Sequence, residues 1–305
     1  MKAFKTSAIY ICTVLGAGFA TGRELIVYFV KYGLWGFIGI IIASFLFGFT
    51  AYKALKKGYK SISDVADGRI TYMLTFMFLI VLYSAMLSAC GELVQKIFDI
   101  PYISGTIAIA LITYITVKFK SIGDVSIILC PIMIVTALIT GIYIMTNGNY
   151  LPVNTDINLC CIPSAFIYAA YNIITAAAVI ITEGDKKSAL KTAVISGILI
   201  GFVATVLSLP LYFNFELIKH ESLPLLALLP KGSIITYGYI FMLMCAIFTT
   251  AVSNCLSAAE HTKLSPLLIT LTALLLSFIG FSNIVDKVYF VFGIMGLGIM
   301  FKLIN

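Results

Sequence analysis

The chain has 305 residues, of which 61% are hydrophobic and only 11% charged. A soluble domain of this length lacks the interior to hide so much apolar side chain, so the composition excludes a water-soluble module and implies a polytopic integral membrane protein. The net charge of +7 does not point to nucleic acid, because in a membrane protein the meaning of basic residues lies in which side of the bilayer they occupy.

The first apolar run, residues 6–30, is about one crossing long, yet its middle reads LGAGFATGRE (15–24). Gly16, Gly18 and Gly22 weaken a helix, and Arg23 and Glu24 are costly in lipid. The run continues past Glu24 with no small-residue cleavage site, so it is expected to be a retained first span rather than a signal peptide. Unwound backbone here would expose N–H and C=O groups, tolerable at membrane depth only where ligand, ion, water or protein meets them. Close packing through Gly18-x-x-x-Gly22 is the plainer reading of the glycines, but it does not account for two ionisable side chains at mid-depth. Successive helical residues point about 100° apart, so Arg23 and Glu24 do not share one groove. Three roles stay open for Glu24: capping the outer half of the span, pairing with a polar neighbour, or carrying a coupling proton.

Further apolar runs at 34–54, 71–97, 102–119, 122–146, 162–182, 189–214, 234–259, 264–282 and 285–303 bring the expected spans to ten. With the N-terminus in the cytoplasm, fourteen lysines and arginines fall on the cytoplasmic side and five outside, which supports both termini inside. In the third run Ser84 and Ser88 share a face, either lining a groove or bonding between helices. Glu92 lies near its outer third, as a snorkelling carboxylate or a gate partner for Arg23. The connection 147–159 holds no lysine or arginine and divides one transmembrane domain, 1–305, into halves 1–146 and 160–305 of five spans each. An odd number per half inverts the second half.

The run 162–182 places Ala169, Ala170, Tyr171 and Asn172 at its middle, an expected unwinding point matching the glycine break of the first. Residues 214–233 contain SLPLLALLP, too short to cross and expected as an outer interfacial helix or re-entrant piece. The run 234–259 contains IFTTAVSNC, with Thr249, Thr250 and Ser253 near its centre. Hydroxyls combined with backbone carbonyls are hard oxygen ligands suited to Na+, although membrane threonines also bond their own i−4 carbonyl. The seven cysteines show no disulfide or zinc pattern and are expected as small buried hydrophobes. Enzyme chemistry finds no support. HExxH is absent, the aspartates fall at span ends or loops, and the two histidines, His220 and His261, lie at edges. No cofactor is expected, and Na+ is the one metal ion anticipated.

VLGAGFATGRE (14–24) resembles the first-span signature of the YkvI-type amino acid permeases of the amino acid–polyamine–organocation superfamily, whose members share the fold named for LeuT. This is the one specific motif; over the rest of the chain the likeness is architectural, in span count, halving and orientation. The resemblance implies an all-α polytopic membrane protein, ten transmembrane helices in a 5+5 inverted repeat with helices 1 and 6 broken. It implies that the N–H groups of Ala17 and Gly18, with Gly16 and Phe19 beside them, receive a substrate carboxylate. It places the Cys12 and Leu15 carbonyls toward a cation and has Phe166, Ala169, Tyr171 and Asn172 line the site. Thr249 and Thr250 match the hydroxyl pair of sodium-coupled members, and the body of the fifth span lacks the lysine that proton-coupled relatives can carry. The expected activity is alternating-access transport of a small zwitterion such as an amino acid, coupled to Na+ ahead of H+, in a bacterial cytoplasmic membrane. A nutrient sensor on the same fold is the alternative.

Overall fold

The computed structural model describes residues 2–59, 69–119, 125–148 and 157–304, without the side chains at 2, 5, 69–71, 125–130, 178, 179, 182 and 183. Lys60, Lys120 and the centre of the midpoint connection, which enter the expected orientation and halving, lie outside the described residues. Every regular element among those described is helical. The first expected span comprises α1 (Lys2–Val14), α2 (Ala17–Thr21) and α3 (Arg23–Tyr28). There follow α4 (Trp35–Lys57), α5 (Arg69–Phe98), α6 (Tyr102–Lys118), α7 (Val125–Asn147), α8 (Cys161–Glu183) and α9 (Ala189–Phe213). Two short helices, α10 (Phe215–Ile218) and α11 (Pro224–Ala227), lead to α12 (Ile234–Thr262) and α13 (Pro266–Ser277). The chain closes with α14 (Phe281–Asn283), a π-helical turn (Ile284–Val288) and α15 (Tyr289–Ile304).

The boundaries follow local chemistry. Gly58 ends α4 at a left-handed φ of 66°, which glycine adopts without a Cβ penalty. Ser233 and Ser265 start α12 and α13 by accepting from Thr236 N and Leu268 N, at 3.2 and 3.3 Å, and so satisfy otherwise orphaned amides. Pro266 at the first turn of α13 loses no helix hydrogen bond there.

Five stretches (35–57, 72–98, 186–213, 234–262 and 281–304) are long and apolar enough to cross a membrane, and four shorter apolar helices accompany them. Large apolar side chains face outward, with Ile41, Phe45 and Leu275 at 68, 67 and 72% exposure. A water-solvated bundle does not leave such a surface bare; in lipid it carries no cost, and the chain is a multi-pass integral membrane protein. Inside, close crossings rely on glycine. A Cβ on Gly48 would stand 3.0 Å from Ala193 O, and one on Gly197 3.0 Å from Ser44 O, so α4 and α9 approach nearly backbone to backbone.

Two sequence expectations need correction, and one open alternative is decided. The helix α8 runs unbroken through Ala169 and Asn172. Its centre is alanine-rich and without glycine or proline, so helix propensity prevails, and the Asn172 amide donates to Tyr168 O one turn back at 3.1 Å. Residues 214–233 follow the re-entrant of the two expected forms rather than the interfacial helix. They fold inward as a plug, with Leu223 and Leu225 fully buried and Leu225 packed against Gly22. Cys12 is disulfide-bonded rather than a free buried thiol, whereas Cys90, Cys160, Cys161, Cys245 and Cys255 are free.

Candidate functional site

The glycine cluster breaks the first span twice. The last turn of α1 closes with Leu15 N on Ile11 O at 2.7 Å; the chain then extends at Gly16 (φ −54°, ψ −175°) before α2 begins. Gly22, at a left-handed φ of 85°, turns α2 into α3. A Cβ there would lie 2.9 Å from Leu225 Cγ, so both conformation and space select glycine. Side chains hold the interrupted backbone in place of a continuous helix ladder. Thr21 Oγ1 donates to Gly18 O at 2.7 Å and accepts from Arg23 N at 3.2 Å. The Tyr239 hydroxyl donates to Ala20 O, and Ser164 Oγ to Tyr28 O, each at 2.8 Å. These bonds answer the rule that irregular backbone at membrane depth must be satisfied internally or face a cavity.

The first break does face a cavity, of about 540 Å³, bounded by α1, α2, α3, α5, α7, α8, α12 and the start of α15. Of the residues singled out from sequence, it is lined by Cys12, Gly16, Ala17, Gly18, Glu24, Tyr171, Asn172, Thr249, Thr250 and Ser253. Thr250 Oγ1 lies 3.6 Å from where a Gly16 Cβ would stand, so the α12 hydroxyls meet the break directly. Thr249 donates to Cys245 O at 2.9 Å, the i−4 bond common to membrane threonines. From Gly16 the cavity runs along α12 through Ser257 to Glu260 and His261 at the helix end.

The other expected residues lie elsewhere. Leu15 and Phe19 line a small void between α7, α9 and α12. Ala169 is fully buried, and Phe166 packs against the core. Ser84 donates to Val81 O at 2.8 Å, and Ser88 accepts from the Tyr102 hydroxyl at 2.8 Å; both serve helix packing rather than the cavity wall.

Arg23, next to Glu24 in the chain but outside the cavity lining, makes a separate cluster. Its guanidinium meets the Asp286 carboxylate through two nitrogens, Nε to Oδ1 at 2.9 Å and Nη2 to Oδ2. Nη1 donates to Lys219 O at 2.7 Å and Glu221 O at 3.1 Å. One side chain thus ties α3, the π-helical turn and the plug together, a bidentate geometry that Arg supplies and Lys does not. Of the two alternatives for Glu92, the gate partner for Arg23 is not what the structure shows: Glu92 Oε1 accepts from Phe281 N at 3.1 Å, and Lys96 reaches past it to Glu221. Sequence reasoning missed Asp286, which it placed at a span end. The only signal was that a buried arginine requires an anionic partner.

Glu24 is buried, with its carboxyl group packed against the bare Cα face of Gly18. Around it stand Tyr28, Tyr168, Tyr171 and Tyr289, each in electrostatic contact with the carboxylate. The Tyr28, Tyr168 and Tyr171 rings are mutually 5.4–5.5 Å apart, and Tyr289 lies 5.2 Å from Tyr171. Glu24 Oε2 and the Tyr28, Tyr168 and Tyr289 hydroxyls lack a hydrogen-bond partner among the described residues. This tyrosine cluster was not foreseen, because aromatic residues in apolar runs carry no signal separating site from core.

No protein-family model matches the chain. It is 26% identical to the uncharacterized membrane protein YkvI of Bacillus subtilis (strain 168), over 97% of this chain and 93% of that protein. A crystal structure of the Eremococcus coleocola manganese transporter, bound to an aromatic bis-isothiourea substituted compound, superposes with a TM-score of 0.63 at 14% identity, covering 97% of this chain and 78% of that one. A crystal structure of MhsT in complex with L-phenylalanine gives 0.57 at 12% identity, over 96% and 80%. The chain shares the LeuT-type fold of these transporters, and its resemblance to a membrane protein extends over nearly its full length.

Proposed function

We propose that the protein is a secondary active transporter of small solutes bearing an amino group, amino acids among them, working by alternating access in a bacterial cytoplasmic membrane. The observation that carries this reading is the broken first helix facing a cavity that reaches from Gly16 and Glu24 to Glu260 and His261 at the end of α12, with the Arg23–Asp286 ion pair next to Glu24 in the chain but outside its lining. A pocket reaching unwound backbone within a broken apolar span is what a carrier needs and a structural bundle does not. In this reading the chain is one transmembrane domain of ten spans, 1–146 and 160–305 forming a 5+5 inverted repeat of the amino acid–polyamine–organocation type. α1, α2, α3 and α8 form the moving group, Gly16, Ala17 and Gly18 present backbone to the cargo, and Arg23 with Asp286 forms the outer gate. With both termini cytoplasmic, the observed state is open inward.

A cation drives the cycle, Na+ ahead of H+. Thr250 beside Gly16, with Ser253 one turn along the same cavity wall, supplies neutral hard oxygens near the break, and the first-helix carbonyls would complete the shell. The test is uptake of radiolabelled amino acids by purified protein in liposomes, with sodium and proton gradients imposed separately. Gradient-driven accumulation of at least one solute is expected. Neither uptake nor exchange under either gradient would sink the transporter reading, and uptake indifferent to sodium would remove the role given to Thr250 and Ser253.

A further inference from the structure

The cavity has a sign. Its ionisable lining is Glu24 at the deep end and Glu260 with His261 at the mouth; no lysine or arginine lines it among the described residues. A zwitterionic cargo would therefore bring a carboxylate into a low-dielectric space whose deep end offers no lysine or arginine among the described residues to neutralise it. The positive end of the cargo is better served. Glu24, only 5% exposed, lines the cavity with Oε2 unpartnered. Tyr171, Tyr289 and Phe78 line the same end, with ring centroids 5.2–6.2 Å apart. A carboxylate among aromatic rings offers a charge partner and cation–π faces to one group, an alkylammonium.

We propose that Glu24 is the seat of the cargo's ammonium group, flanked by Tyr171, Tyr289 and Phe78, and that the site selects small organic amines for which a carboxylate is dispensable. The inference rests on the transporter reading for its cargo but differs from it in what is recognised. Gly18 belongs to the seat because a side chain there would overlap the Glu24 carboxyl group.

The test uses the full-length protein in lipid nanodiscs and three matched pairs of amine and amino acid: methylamine and glycine, isobutylamine and valine, phenethylamine and phenylalanine. Each member of a pair differs only by the carboxylate, and binding is measured by calorimetry at fixed pH and salt. In at least one pair the amine is expected to bind as tightly as its amino acid or more tightly. Glu24→Gln should weaken that amine by about tenfold or more, and Tyr289→Leu by roughly threefold to tenfold. The proposal is overturned if every detectable amino acid binds and its amine does not, if no amine binds at millimolar concentration, or if a folded Glu24→Gln protein binds amines unchanged. Should Glu24→Gln fail to fold, the wild-type pairs decide alone. Liposome uptake separates the two readings. Gradient-driven uptake of amino acids with exclusion of their amines rejects the seat and keeps the transporter. Amine binding without uptake or exchange keeps the seat and rejects the transporter.

Discussion

Gly18 and Glu24 form a pair in which each side chain explains the other. Gly18 sits inside α2 with ordinary helical geometry, where alanine would be intrinsically better by about 1 kcal/mol. Its Cβ, however, would fall on the Glu24 carboxyl group, which is held within a buried tyrosine cluster and has little room to retreat. Gly18→Ala should therefore lower the melting temperature in detergent, the overlap costing roughly 1–3 kcal/mol against the gain in propensity, and should reduce solute binding as the carboxylate is displaced. An unchanged or higher melting point with normal binding would show that the carboxyl group is free to move. At this scale the sequence was informative where chemistry was out of place. Three glycines beside an arginine and a glutamate in an apolar run already marked the site. Their partners were not legible: Asp286 lies 263 residues from Arg23, and a tyrosine gives the same signal in a cage as in a core.

Helices show a different division. Most boundaries could be read from apolar run length and polar punctuation, because lipid forces each crossing to satisfy its own backbone. The expected break in α8 failed because it rested on one asparagine, whose side chain is content to bond the preceding turn. What no periodicity reveals is how closely two helices approach. On α15, a Cβ at Gly296 would lie 2.8 Å from Ala170 O, backbone that cannot rotate away, whereas one at Gly298 meets nothing within 4 Å. The two glycines are neighbours on one helix, so they control for each other. Gly296→Ala should destabilise by about 1–3 kcal/mol through forced separation of α8 and α15. Gly298→Ala should be neutral or stabilising by up to about 1 kcal/mol. Thermal unfolding of both variants in the same detergent checks the contrast; equal effects would mean that the α8–α15 contact is looser than its geometry.

For the whole molecule, the decisive asymmetry is that a buried ion pair ties one end of the bundle, whereas at the other the cavity reaches the end of α12, where Tyr72 and His261 bridge α5 and α12. Arg23 holds α3, the π-helical turn and the plug through two carboxylate contacts and two carbonyls, while the cavity runs to the far end of α12. If alternating access operates, this tie contributes to the balance between states, and weakening it must populate the state opened on the Asp286 side. Asp286→Asn keeps the shape but removes the charge from a partner that stays largely buried, with side-chain exposures of 9% for Arg23 and 31% for Asp286. A bias of even about 1 kcal/mol changes a two-state ratio roughly fivefold. The readout is Ser253→Cys, which lines the cavity, labelled by a membrane-impermeant thiol reagent added from the Asp286 side, with and without Asp286→Asn. Comparing the two proteins cancels the native thiols, since both carry the same set. A labelling rate at least about fivefold higher with Asp286→Asn, reversed by a gradient or solute that favours the tied state, is the expected result. Equal rates in both would mean that the Arg23–Asp286 contact braces the fold without gating it, and the cavity would then have to open on that side by some other joint.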